Sequence, residues 1–154
     1  MVSKEQAVMD EIGSLLRTYW QECHRAYLDG HPCMGSDYFF GENSKMIPPE
    51  ESAPESVKHS AEFYNDACSD WGGAQIFHLQ SKNLPCWIVS VTTDGDDGWI
   101  EVFDESGKCF AAARRYIELL SWGPVEKVRA YTEDGEFPED MSDRMMRTLW
   151  ARKT

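Results

Sequence analysis

The stretch from residue 84 to residue 110 constrains the fold of this chain more than any other. It reads LPCWIVSVTTDGDDGWIEVFDESGKCF, in which two apolar runs, residues 86–93 and 99–103, flank a loop of aspartates and glycines. β-Branched and aromatic residues dominate both runs, which is the composition of half-buried strands. A second turn follows, and its Gly107 lies where a type I turn with a bulge needs a positive φ. The stretch therefore predicts an antiparallel β-meander.

The chain before this stretch predicts two helices and one further strand. Residues 4–29 repeat apolar side chains at helical spacing, and Ser3 is placed to cap the first turn. Residues 55–70 repeat the same pattern, and residues 74–80 form a short strand. Glycine and proline interrupt residues 31–54, which predict an irregular connection between the two helices.

The chain after the meander predicts helices. Four apolar residues recur at i, i+3, i+4 and i+7 and indicate a helix over residues 112–122, after a short strand over 109–111. Two more helices are expected, one opening at Pro124 and one over residues 143–151. We therefore predict a single α+β domain over residues 1–154, with about four meander strands and helices from both the N-terminal and the C-terminal parts packed on them.

The bulk composition bounds the class of protein. A chain of 154 residues suits one domain with a substantial core. No apolar run is long enough to span a bilayer, and the N-terminus carries no signal-peptide core. The five cysteines then fit reduced thiols better than a disulfide framework. We expect a cytoplasmic protein.

Acidic residues are concentrated in the middle of the chain. The net charge is −12, from 27 acidic and 15 basic side chains. Residues 32–72 hold 8 acidic and 2 basic side chains (−6), and residues 73–110 hold 6 and 2 (−4). Such a surface repels nucleic acid and anionic lipid and attracts basic proteins. The alternative explanation is that the charge serves only solubility.

Two cysteines and two histidines lie close together in the sequence, namely Cys23, His24, His31 and Cys33. Thiolate and imidazole groups are ligands of zinc, but this spacing matches none of the common zinc motifs. Adjacent residues on a helix also point about 100° apart, so Cys23 and His24 do not face one site easily. We predict no metal and no other cofactor, and whether these four residues bind a metal stays open.

Glu101 is a carboxylate inside an apolar strand, between Ile100 and Val102. Strand alternation places it on the same face as Trp99 and Phe103. One interpretation is a general acid whose pKa is raised by its apolar neighbours. We favour another, in which this face is partly solvated and the aromatic residues form its rim.

Motifs that carry catalysis are not found in the sequence. It has no nucleophile elbow, no family-type cysteine signature and no phosphate-binding loop. The aspartates of residues 94–98 resemble part of a calcium loop, but strands flank them where an EF-hand has helices. We interpret this loop as the charged tip of a hairpin, and we predict no catalytic residues.

These features favour a non-catalytic acidic protein that binds a basic protein partner and neither nucleic acid nor membrane. Small acidic proteins without a catalytic signature are typical of bacterial immunity proteins and toxin inhibitors, a class-level analogy from composition. Acidic loops would select the partner by charge, and aromatic side chains would anchor it. The residues predicted to contact the partner are Asp94, Asp96, Asp97, Trp99, Glu101, Glu133, Asp134 and Glu136.

Two other functions stay open. The first is a small enzyme or small-molecule-binding protein with a pocket between sheet and helices. It would use Glu101, His78 or a cysteine, and its lining would be Trp87, Trp99 and Trp122. The second is a structural or regulatory module that dimerises through a sheet edge or through the methionine-rich last helix. The chain is accordingly expected to be a monomer or a homodimer.

Overall fold

The structure is a computed structural model that describes residues 2–28, 43–67, 73–92, 97–116 and 119–123. The elements in these ranges are α1 (Lys4–Leu28), β1 (Ser44–Ile47), α2 (Glu55–Ala67), β2 (Gly73–Leu79), β3 (Cys86–Thr92), β4 (Asp97–Asp104), β5 (Cys109–Tyr116) and β6 (Leu119–Gly123).

The strands form one sheet in chain order, from β1 to β6, and every neighbouring pair is antiparallel. The predicted α+β fold with an antiparallel meander is confirmed, although the described sheet has six strands where about four were expected. Both described helices precede β2, and α2 lies between β1 and β2 in the chain. The helices predicted after Pro124 lie outside the described residues.

The two helices agree closely with their predicted positions. The backbone N–H of Gln6 donates to the Ser3 hydroxyl over 3.1 Å, so Ser3 caps α1 as its sequence position indicates. The start of α2 at Glu55 also agrees with prediction, and its predicted last turn, residues 68–70, lies outside the described residues. Among the described side chains, those buried at the predicted helical spacing are Val8, Ile12 and Leu16 in α1 and Val57, Ala61 and Tyr64 in α2.

The sheet is covered on both faces. Successive residues of a strand point to opposite sides, so each central strand contributes to two apolar clusters. On the α1 side the buried residues include Val8, Ile12, Leu16, Phe77, Ile88, Ile100, Val102, Ala111 and Ala113. On the α2 side they include Val57, Ala61, Tyr64, Ile76, Trp87, Val89, Trp99, Phe103 and Ala112. This two-sided burial explains why β3 is almost continuously apolar.

The predicted helix over residues 112–122 is wrong, because Cys109–Tyr116 and Leu119–Gly123 form β5 and β6. Ala111, Ala112 and Ala113 are all buried, with the middle one on the α2 side and the other two on the α1 side. A strand that is buried on both faces loses its polar–apolar alternation. Ala113 and Tyr116 of β5 and Leu120 of β6 then match a helical spacing by coincidence, and pairing with β4 decides the structure of β5.

The strand β1 was not expected, since residues 31–54 were predicted to be irregular. It has four residues and lies at the outer side of β2 in the described sheet. Only Ile47 is buried, whereas Met46 is 43% exposed. A strand with a single buried residue leaves no period for sequence analysis to detect.

The turn between β4 and β5 has the predicted form. Gly107 has a φ of 89°, and its N–H donates to the Asp104 carbonyl over 2.9 Å. One carboxylate oxygen of Asp104 accepts the backbone N–H groups of Ser106 and Lys108, each over 3.0 Å, and the Ser106 hydroxyl over 2.6 Å. The hydrogen bonds from the Ser106 hydroxyl and the Lys108 backbone lower the pKa of Asp104. The turn is thus closed by its own side chains.

Replacing Gly107 with alanine is expected to destabilise the protein. A non-glycine residue at this φ costs about 1–2 kcal/mol, and the added Cβ would lie 2.5 Å from the Ser56 hydroxyl oxygen. Gly13→Ala is the matched control, because a Cβ there meets nothing within 4 Å and alanine improves a helix interior by up to about 1 kcal/mol. Urea unfolding of both variants should therefore show free-energy changes of opposite sign. Changes of the same sign would contradict this account of the turn.

Candidate functional site

Of the eight residues predicted to contact a partner, three lie in the described part of the structure. Asp97 is the first residue of β4, and Trp99 and Glu101 follow on the same strand. The remaining five, which are Asp94, Asp96, Glu133, Asp134 and Glu136, lie outside the described residues. The structure therefore describes the surroundings of Trp99 and Glu101, and these differ from expectation.

The expectation that the face of Trp99 and Glu101 is partly solvated is wrong. Trp99 is 1% exposed and Glu101 is 0% exposed. The reason is α2, which lies on this side of the sheet and packs over β2 and β3. Tyr64 of α2 contacts the Trp99 ring edge-on, with ring centroids 5.5 Å apart. As placed, neither Trp99 nor Glu101 is available to an external partner at this face.

Glu101 is held by a side chain of α2. The Ser60 hydroxyl lies 3.1 Å from one oxygen of the Glu101 carboxylate and 3.3 Å from the other, and it donates to this carboxylate. Ser60 is itself buried and shares the inner face of α2 with Val57, Ala61 and Tyr64. A carboxylate removed from water is costly unless it is hydrogen-bonded, so this contact stabilises Glu101 in the core.

Arg114 lies on the same face of the sheet as Glu101. Ala112 is opposite Glu101 in the β4–β5 register and Arg114 is opposite Trp99, which makes Glu101 and Arg114 diagonal neighbours on adjacent strands. Arg114 is only 5% exposed. Diagonal neighbours are about 7–8 Å apart at Cα, within reach of long side chains, and buried charges are generally paired. We expect these opposite charges to stabilise each other.

Neither Ser60 nor Arg114 was predicted from the sequence to contact Glu101. The spacing of Ser60 within the apolar stripe of α2 was the available indication, since residues 57, 60, 61 and 64 follow i, i+3, i+4 and i+7. Arg114 was predicted to lie on a helix, and that prediction gave no reason to expect it beside Glu101. Only the strand register brings the two charges to one face.

The cysteines in the described part of the chain do not resemble activated nucleophiles. Cys86 is buried among the residues on the α1 side. Burial, followed by the charges of Glu11 and Glu105, raises the pKa of its thiol to about 12. The thiolate is the reactive form, so Cys86 is a poor nucleophile near neutral pH. Cys109 is half-buried, with its Sγ 3.6 Å from the Ala111 carbonyl.

His78 is engaged at both ring nitrogens. Its Nε2 lies 3.4 Å from Glu105, and its Nδ1 lies 2.9 Å from the Gln80 amide nitrogen. A ring that donates from Nε2 and accepts at Nδ1 satisfies both contacts. The ring also packs against Trp87, with centroids 4.5 Å apart. This arrangement suits a structural histidine better than a general base.

The pocket predicted for a small-molecule-binding protein is not formed as expected. Trp87 and Trp99 belong to the cluster on the α2 side, whereas Trp122 packs against the cluster on the α1 side. The sheet therefore separates Trp122 from the other two, and the three cannot line one cavity.

The side chains of the candidate zinc residues all lie outside the described part of the chain. Cys23 and His24 belong to α1 by their backbone, but their side chains, like His31 and Cys33, lie outside what the structure describes. Among the described residues, no group of three or more histidine, cysteine, aspartate or glutamate side chains is placed to hold a metal ion. The question of a metal at these four residues is unchanged.

Neither helix of the described part combines the length and the apolar character that crossing a bilayer requires.

No protein-family model matches the sequence, and no curated protein and no solved structure matches it either. The functional interpretation therefore depends on the chemistry of the chain itself.

We expect Cys86 to resist alkylation in the folded protein, since its thiol is buried and its pKa is raised. Iodoacetamide labelling at pH 8, followed by peptide mass spectrometry, should leave Cys86 unmodified while the half-buried Cys109 reacts faster. In urea both should react at similar rates. Rapid labelling of Cys86 in the native protein would contradict the placement of its side chain.

A double-mutant cycle tests the relation between Glu101 and Arg114. Glu101→Gln and Arg114→Met are each expected to lower the free energy of unfolding, by up to about 3–5 kcal/mol, because each removes one of two opposite charges that are buried on the same face of the sheet. The double variant should lose clearly less than the sum of the two. Ser60→Ala should cost about 1–3 kcal/mol by leaving the carboxylate without its hydroxyl donor.

The control for this cycle is Glu62→Gln, an exposed carboxylate of α2, which should change stability by no more than about 0.5 kcal/mol. Strictly additive losses for Glu101→Gln and Arg114→Met would show that the two charges are not coupled. Urea denaturation at constant pH and ionic strength measures all five variants.

Proposed function

We propose that this chain is a non-catalytic, cytoplasmic acidic protein that binds a basic protein partner, in the manner of an immunity or inhibitor protein. The observation that carries the proposal is the net charge of −12, of which −10 belongs to residues 32–110. The predicted acidic loops, which contain Asp94, Asp96 and Asp97 and, further on, Glu133, Asp134 and Glu136, remain the proposed points of contact.

The outer surface of α2 supports this proposal. We call the exposed residues Glu55, Glu62 and Asp66 the α2 acidic face; they lie on the side of the helix away from the buried Val57 and Tyr64. The exposed Glu50 and Glu51 precede the helix. Lys58 lies 3.5 Å from Glu55, which offsets part of this charge, and the His59 ring lies 3.9 Å from Glu62. The balance over residues 43–67 is five acidic against two basic side chains, or −3.

A surface whose charges are mostly negative has a specific consequence for association with a partner protein. Its potential draws an oppositely charged protein from solution and raises the association rate by roughly 10- to 1,000-fold at low salt. Salt screens this attraction over a Debye length of about 10 Å at 0.1 M. Charge complementarity also disfavours acidic competitors, which gives selectivity.

The alternative, a small enzyme or small-molecule-binding protein, receives less support from its candidate residues. Glu101 and Cys86 are fully buried, and His78 is bonded at both ring nitrogens. The α2 acidic face is exposed by contrast, and its carboxylates are accessible to an external protein.

The first experiment is affinity capture from the lysate of the native host at low and at high salt, followed by mass spectrometry. A single basic protein that is retained at low salt and released at high salt would support the proposal. If the proteins retained are not basic, or if nothing is specifically retained at low salt, the proposed function is contradicted. The purified partner then serves for kinetics.

Charge reversal locates the contact surface. Glu62→Lys/Asp66→Lys on the α2 acidic face and Asp96→Lys/Asp97→Lys in the hairpin loop each change the net charge by +4. The matched control is Glu5→Lys/Asp10→Lys on the exposed side of α1, with the same charge change. At low salt we expect association to slow about tenfold for a variant within the contact surface, with a shallower salt dependence, and much less for the control.

Stopped-flow association at several salt concentrations measures these effects, and urea unfolding confirms that each variant remains folded. Equal slowing of association in all three variants would mean that only the net charge matters. That result would contradict the assignment of the contact surface to α2 and the loop. Unchanged kinetics in every variant would contradict an electrostatic contact altogether.

A further inference from the structure

No further inference is drawn: the strongest candidate, the buried cluster of Ser60, Glu101 and Arg114 between α2 and the sheet, belongs to the site already described, and its side chains are at most 5% exposed, so nothing in the described part of the chain points to a ligand that reaches it.

Discussion

The burial of the central strands on both faces is the constraint on which the rest of this structure depends. Val89 and Ile100, for example, point to opposite sides of the sheet, and each is fully buried beneath a different helix. Burying one such side chain contributes about 1.5–3 kcal/mol, so a sheet with two covered faces gains from nearly every residue of β3 and β4. Away from the strand ends, the same arrangement leaves no solvated side for a polar residue. A charge in the middle of these strands must therefore find a partner inside the protein.

Glu101 shows how this constraint determines the position of α2. Apolar contacts have little directionality, and they alone would allow the helix to slide along the sheet. Three hydrogen bonds spaced along α2 oppose such sliding: Ser56 donates to the Gly107 carbonyl, Ser60 donates to Glu101, and the Asn65 side chain accepts the Ala74 N–H. They tie the beginning, middle and end of the helix to different strands or turns. The polar contacts thus select one position among several that the apolar surface would accept.

Local chemistry explains which parts of the fold were predictable. The β4–β5 turn was predicted because residues within the turn determine its conformation. They include a glycine at positive φ and an aspartate that accepts backbone N–H groups. The burial of Glu101 was not predicted, because it depends on Ser60, which is 41 residues away in the chain. For β5 the difficulty was different: three consecutive buried alanines are compatible with a helix or a strand until the pairing with β4 is known.

The same helix has two separable electrostatic roles. Its inner side supplies an uncharged hydroxyl to a buried carboxylate. Its outer side carries Glu62 and Asp66, which are four residues apart, so their backbone positions are about 6 Å apart along the helix axis. Carboxylates this close repel one another, which lowers the stability of the free protein, and added salt relieves that repulsion. A basic partner also relieves it, but added salt weakens the complex. Salt should therefore stabilise the free chain and destabilise its complex, and this opposite dependence distinguishes an acidic surface that binds a partner from one that serves only solubility.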